Sequence, residues 1–116
     1  MTKLVIHVPL ASTAIPEDVW SEFTIARSDV EAEAFASADL YTGEMARQAW
    51  QHAEIIETEM SRIVVDVERY DDDSSEEMAE FGRGVFYTCD HLMRPIRKTL
   101  SGARREKLLA RYYRPH

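Results

Sequence analysis

The sequence is poor in cysteine, glycine and proline, and it contains no long apolar run. A single cysteine, Cys89, among 116 residues excludes an internal disulfide and a zinc site built from several cysteines, and it suits a reducing compartment. Four glycines and four prolines are too few for a collagen-like or Gly/Pro-rich disordered chain. No segment approaches the roughly 20 apolar residues of a membrane helix, and the N-terminus lacks the pattern of a secretory signal. We therefore expect a cytoplasmic protein with no membrane partner.

What is present is typical of one globular domain. The residues are 45% hydrophobic and 30% charged, and a chain of 116 residues is large enough to bury a core without disulfides. We expect residues 1–116 to form a single domain. The net charge of −7 is unevenly distributed, because eight basic residues and only one acidic residue, Glu106, follow His91. This basic tail can pair with the acidic part of the chain or recognise a carboxylate substrate. A nucleic acid partner is not expected, since no nucleic-acid-binding motif accompanies the charge.

Apolar runs and breakers predict alternating strands and helices. Strands are predicted from Leu4 to Val8 and over residues 53–57, 63–67 and 85–88. Helices are predicted after Pro16, from Ser28 to about Ala49 with a break or bend at Gly43, and from Ser101 to before Pro115. This order favours an α/β fold with a mixed sheet flanked by helices. The direction of each strand cannot be inferred from the sequence.

Charged residues gather around the predicted strand at residues 63–67. On a strand, Arg62 and Asp66 share one face, so either an ion pair or a substrate-binding pair is expected there. Ligands of open α/β sheets bind at the carboxyl ends of strands, which favours a site at this end. His7 lies in an apolar run and is either a buried histidine or a ligand. Asp39 is either a helix-surface acid or a functional carboxylate.

Five motifs in order resemble the N-terminal half of the N-formylglutamate amidohydrolase family. They are HVPLAS followed by IP, then ADLYT, SRIVVDVER, PIRKTLS and YYRPH, and together they cover essentially the whole chain. The resemblance implies an incomplete domain of the zinc-carboxypeptidase-like, or phosphorylase/hydrolase-like, fold. It also implies a zinc-dependent hydrolase that cleaves N-formyl-L-glutamate to formate and glutamate during histidine degradation.

The resemblance also implies roles for individual residues. The metal ligands implied are Asp39 and His116, with His7 as a further candidate, and the arginines implied to bind a dicarboxylate substrate are Arg62, Arg69 and Arg97. No catalytic acid or base is assigned. The sequence departs from the family pattern at Leu10, where a second histidine is expected in the first loop, and at Glu68, where asparagine is usual. An aliphatic side chain cannot ligate zinc.

Two functions follow from these departures. The first is the amidohydrolase, represented here by its N-terminal half and truncated relative to family members of about twice this length. The second is a non-catalytic α/β module that binds carboxylates or serves as an oligomerisation unit. Both predict a homo-oligomer, because half of a sheet domain exposes apolar surface.

Overall fold

The structure is a computed structural model that describes residues 4–116. It has an α/β fold, as predicted. The strands are β1 (Val5–Val8) and β2 (Glu54–Glu57), and the α-helices are α1 (Arg27–Ser37), α2 (Thr42–Ala49) and α3 (Gly102–Leu108). Short 3-10 helices span Glu17–Glu22, Asp73–Ser75 and Glu77–Phe81, and a π-helical turn, Leu109–Tyr113, continues α3. None of the helices in this described part is long and apolar enough to cross a membrane.

The two strands are parallel and are joined through α1 and α2. Val5 pairs with Glu54 and Val8 pairs with Glu57. Parallel strands need a crossover of a dozen or more residues, and here α2 packs against both strands. We call β1, α2 and β2 the βαβ unit. The prediction of strands at both ends of this unit is confirmed.

The hydrophobic core lies outside the βαβ unit. It is formed by the first 3-10 helix, α1, three irregular segments, and α3 with its π-helical turn, through Val19, Phe23, Val30, Ala34, Met60, Ile63, Val64, Val65, Val85, Phe86, Tyr87, Ile96, Leu108 and Leu109. The βαβ unit buries Val8 and Ala46, but neither belongs to this cluster. The core therefore anchors the segments that carry Asp66 and Tyr87.

The predicted strands at residues 63–67 and 85–88 are wrong. Both segments are largely buried, but neither forms a strand, and the second makes one isolated bridge, between Arg83 and Tyr87. The carbonyl oxygens of Ile63 and Val64 accept hydrogen bonds from Arg97 Nη1 at 3.0 and 2.9 Å. A buried guanidinium thus satisfies backbone groups that a neighbouring strand would otherwise pair.

The predicted helix from Ser28 to Ala49 is divided into two. α1 ends at Ser37 and α2 begins at Thr42, and Tyr41 between them has a left-handed φ of 66°. Asp39 N donates to Leu10 O at 2.8 Å, which ties the connection to the loop after β1. Gly43, the predicted break, instead lies inside α2, where an added Cβ would be 3.1 Å from the Glu57 carboxylate.

The helices predicted after Pro16 and from Ser101 are confirmed. The first is the 3-10 helix Glu17–Glu22, and the second is α3 with its π-helical turn. Ser101 Oγ accepts from Arg104 N at 3.2 Å and so caps α3, as a serine at the N-cap is expected to do. The π-helical turn then carries the chain to His116.

Candidate functional site

His7 on β1 and His116 at the C-terminal end meet in the structure. Their Nε2 atoms are hydrogen-bonded although 109 positions separate the two residues, and their ring centroids are 4.4 Å apart. Glu68 Oε1 lies 3.7 Å from His7 Nδ1 on the other side of the ring. Tyr113 OH donates to Arg69 O at 2.6 Å and fixes the turn that precedes His116. Two of the predicted metal ligands therefore share one place.

The electrostatic environment favours a neutral imidazole at His116. Burial lowers the pKa of His116, the neighbouring His7 lowers it further, and Glu68 opposes both effects. A neutral imidazole retains the lone pair that binds a metal. Nitrogen donors of this type suit zinc. Within residues 4–116, however, no group of three or more His, Cys, Asp or Glu side chains is arranged to hold a metal.

Asp39, the third predicted ligand, is exposed and does not join the histidine pair to form such a group. Its backbone nitrogen binds Leu10 O at 2.8 Å, and its carbonyl accepts from Thr42 Oγ1 at 2.8 Å. The structure thus places Asp39 beside Leu10, the position at which the family resemblance implies a histidine. The donor set present is two imidazoles, and a third protein ligand is not gathered around them by the described residues.

The buried carboxylate of Asp66 organises the arginines predicted to bind substrate. Asp66 is fully buried, and its Oδ2 accepts from Arg62 Nη2 at 2.9 Å, Arg62 Nε at 3.1 Å and Tyr87 OH at 2.7 Å. Its Oδ1 accepts from Glu68 N at 3.0 Å. Arg69 Nε is 3.7 Å from the same Oδ2. The segment from Asp66 to Arg69 thereby connects the arginines to the His7–His116 pair through Glu68.

Protonation in this network follows from burial and charge. Burial raises the pKa of Tyr87, and the negative charge of Asp66 raises it further, so the phenol remains a donor. Burial lowers the pKa of Arg62, but Tyr87 and Asp66 outweigh that effect and raise it above the ordinary value. Arg62 therefore remains charged beside Asp66, and Tyr87 remains a neutral donor to that carboxylate.

Arg69 differs from Arg62 because it retains an unused donor. Its Nε is buried and has no hydrogen-bond partner within the described chain, while 23% of its side chain remains exposed. An unpaired guanidinium nitrogen next to a saturated carboxylate is a costly arrangement unless a ligand completes it. Among the predicted substrate-binding residues, Arg69 is thus the best placed to bind a carboxylate.

Arg97, the third predicted substrate-binding residue, lies in the interior. Its side chain has no exposed surface, and Nη2 and Nε bind Glu22 Oε1 at 2.7 and 3.2 Å, while Nη1 binds the carbonyls described above. Burial lowers its pKa despite the opposing effect of Glu22. A substrate would have to displace Glu22 to reach it. Arg97 therefore holds the core segments together and is not brought to the candidate site.

Two participants were missed by reasoning from the sequence. Tyr87 lies in a segment whose sequence predicts a core strand, and Tyr113 lies in the last predicted helix. A tyrosine in an apolar run is the available signal, because a buried phenol needs a hydrogen-bond partner. The sequence predicts Glu68 on the same strand face as Arg62 and Asp66 and shows it as a departure from the family pattern, but gives it no role. The structure places it between His7 and the arginines.

The fold is α/β, and comparison with known proteins gives its family. The chain matches the family model of N-formylglutamate amidohydrolase over residues 2–116, and it therefore belongs to that family. None of the curated protein sequences compared with the chain matches it. The predicted family is confirmed.

One solved structure shows the same fold. It is the crystal structure of N-formylglutamate amidohydrolase from Ralstonia eutropha JMP134, which matches with a TM-score of 0.78 at 20% sequence identity. The match covers 97% of this chain and 44% of that chain. This chain thus spans less than half the length of its structural neighbour, and at this identity the likeness establishes the fold.

Proposed function

We propose that this chain forms the substrate-recognition part of a zinc-dependent hydrolase that cleaves N-formyl-L-glutamate to formate and glutamate. The observation that carries the proposal is the buried Asp66, which sets Arg62 and Arg69 beside Glu68 and the His7–His116 pair. A dicarboxylate offers planar anionic groups of the kind that guanidinium groups bind by two parallel hydrogen bonds. The site therefore suits the substrate class that the family name indicates.

Arg69 supplies the first point of substrate recognition. Its Nε is buried and unpaired, and the exposed 23% of its side chain is the part that a substrate carboxylate can reach. The backbone of Arg69 is fixed because its carbonyl is bound by Tyr113 OH at 2.6 Å. Arg62 contributes positive charge, but its Nε and Nη2 are already held by Asp66. We infer that Arg69 binds the carboxylate directly while Arg62 and Asp66 fix the surrounding charge.

His7 and His116 are the residues that would hold the metal. A bound zinc ion supplies Lewis-acid chemistry for hydrolysis of the formamide C–N bond. Glu68 Oε1 lies 3.7 Å from His7 Nδ1, so the carboxylate is close to the imidazole but beyond hydrogen-bond distance. Burial keeps His116 neutral through its lowered pKa. No proton-transfer residue is assigned, since no described carboxylate is placed against a substrate carbonyl.

A second function is favoured by a specific observation. Leu10 cannot ligate zinc, and no three-donor group is present in residues 4–116. A module that binds carboxylates without catalysis would retain Arg69 and Asp66 but need no complete metal centre. This module would bind N-formyl-L-glutamate without releasing formate.

The experiment measures binding and hydrolysis separately. Titration calorimetry with N-formyl-L-glutamate, with and without zinc, gives the affinity, and a formate assay gives the turnover. We expect Arg69→Ala to weaken binding by roughly tenfold or more, because a charge-assisted hydrogen bond is lost. Lys98→Ala, an exposed basic residue, is the control and should bind as the parent does.

The outcomes separate the two functions. Zinc-dependent formate release supports the hydrolase, whereas binding without release at any zinc concentration supports the module. Equal affinity in the parent chain and in Arg69→Ala would overturn the assignment of the carboxylate site in both.

A further inference from the structure

A cleft separate from the candidate functional site lies between α1 and the segment at residues 90–96. Its volume is about 570 Å³, within the range of small-molecule sites. α1 provides Asp29, Ala32, Glu33 and Ala36, and the facing segment provides Asp90, His91, Arg94 and Pro95. None of the residues proposed above to bind metal or substrate lines it. The cleft is therefore a separate candidate site.

The imidazole of His91 is held from one side by a buried carboxylate. Glu33, only 6% exposed, places Oε2 at 2.7 Å from His91 Nδ1 and accepts from His91 N through Oε1 at 2.9 Å. Arg83 Nη1 lies 3.4 Å from Oε1 and balances the charge of Glu33. Because an ionised carboxylate only accepts hydrogen bonds, Nδ1 donates to Glu33, and Nε2 is the ring nitrogen that Glu33 leaves unoccupied.

The guanidinium of Arg94 is held in a similar way. Asp90 Oδ2 accepts from Arg94 Nε at 2.8 Å, while Asp90 Oδ1 accepts from the backbone nitrogens of Leu92 and Arg94 at 2.9 Å each. Asp90 is thereby saturated. The two terminal nitrogens of Arg94 have no hydrogen-bond partner among residues 4–116, so they form a free fork of the type that binds a carboxylate.

Two further features restrict the ligand. The carboxylate of Asp29 lines the cleft and has no ion pair or hydrogen bond within the described chain. Ile25, Ala32, Ala36 and Pro95 give the cleft an apolar part. The free groups are thus a cationic fork, an anionic carboxylate and an imidazole nitrogen, beside an apolar surface.

We propose that this cleft binds a small amino acid with an apolar side chain. The ligand carboxylate binds the fork of Arg94, its ammonium group binds Asp29 on the side of the cleft that His91 also lines, and its side chain lies against Ala32, Ala36 and Pro95. Glu33 and Asp90 act as positioning residues, since each fixes the side chain that meets the ligand. This inference is independent of the proposed hydrolase function, because it uses different residues and a different ligand.

The test uses L-leucine and two analogues that each lack one charged group. Isocaproate lacks the ammonium group and isoamylamine lacks the carboxylate. Binding is followed by chemical shift changes of backbone amides in the full chain. We expect L-leucine to shift the amides of α1 and of residues 90–96, and each analogue to bind roughly tenfold or more weakly.

Variants assign the contacts. Arg94→Ala should weaken L-leucine but leave isoamylamine unchanged, and Asp29→Asn should weaken L-leucine but leave isocaproate unchanged. Arg94→Lys retains the charge without the fork and should restore only part of the affinity. Lys98→Ala is the control, and thermal melts show whether each variant is folded. Absence of L-leucine shifts in the cleft, or equal affinity of L-leucine and isoamylamine, would overturn the proposal.

Discussion

Asp66 is the residue on which the candidate site depends, because its one buried carboxylate fixes two arginines and a tyrosine. It is fully buried, and a buried charge is tolerated when its hydrogen bonds are complete. Arg62 supplies the counter-charge, and Tyr87 OH supplies a neutral donor at 2.7 Å. Removal of any partner leaves a buried acceptor without its donor, so the stability of the core and the shape of the site depend on the same atoms.

Tyr87→Phe should therefore destabilise the fold by about 1–3 kcal/mol at neutral pH, because Asp66 and Arg62 each lose a buried hydrogen bond. The effect depends on pH. Burial and Asp66 raise the pKa of Tyr87 above its ordinary value of 10.0, so the phenol stabilises the fold fully below pH 10.0. This contribution is lost as the pH rises through the folded-state pKa.

Urea unfolding of the parent chain and of Tyr87→Phe across this pH range measures the effect. We expect the difference between the two free energies of unfolding to shrink above pH 10.0, the ordinary pKa of the phenol. Tyr70→Phe, at a tyrosine that is 66% exposed, is the control. A difference that stays constant up to the end of the titration would contradict a raised pKa.

Leu10 is the second residue with a direct test. Leu10→His introduces an imidazole into the loop after β1, and its carbonyl already binds Asp39 N at 2.8 Å. If the loop belongs to the metal site, zinc affinity should rise by roughly tenfold or more, since a third ligand is added. Zinc titration calorimetry measures it, with Phe81→His as the control for any added histidine. Equal gains in both variants would mean that Leu10 lies away from the metal.

At the scale of elements, the connection between α1 and α2 joins the βαβ unit to the helix that packs in the hydrophobic core. Tyr41 has a φ of 66°, a conformation that a residue with a bulky side chain rarely adopts. Its side chain is 67% exposed, so packing does not compensate for the strain. The hydrogen bonds from Asp39 N to Leu10 O and from Thr42 Oγ1 to Asp39 O hold the turn in place.

Tyr41→Gly should therefore stabilise the fold by up to about 1 kcal/mol, because glycine adopts positive φ without strain. Tyr41→Ala is the matched control, since it removes the same side chain but keeps the Cβ. Thermal melts of the two variants give the comparison. A glycine variant that melts no higher than the alanine variant would show that Tyr41 is not strained.

Local patterns predicted β1, β2, the first 3-10 helix and α3, because each is defined by residues close in sequence. The segment at residues 63–67 was misassigned for a different reason. Its β-branched residues are buried as a strand would be, but Ile63 and Val64 give their carbonyls to Arg97, more than thirty positions away. No local pattern reports such a contact. Likewise, His7 and His116 were each predicted as ligands, but only the fold shows that they meet.

At the scale of the whole molecule, the βαβ unit is incompletely covered. The described residues form a parallel sheet of two strands, whereas parallel sheets are normally buried on both faces. Six large apolar side chains in or beside the unit are exposed, namely Leu4, Val5, Tyr41, Met45, Trp50 and Ile56. Each strand is an edge strand of this two-stranded sheet among the described residues, and edge strands favour pairing with another chain. We therefore expect the purified chain to form a homo-oligomer through this unit.

Light scattering coupled to size-exclusion chromatography measures the mass over a range of concentrations. Ile56→Lys should shift the chain toward the monomer, because a charge is placed on the apolar surface of β2, where Ile56 is 40% exposed. Phe81→Lys is the matched control, since Phe81 is 41% exposed but lies outside the βαβ unit. A parent chain that remains monomeric at all concentrations would contradict the expectation. Equal dissociation by both substitutions would place the contact elsewhere, whereas dissociation by Ile56→Lys alone assigns it to the sheet.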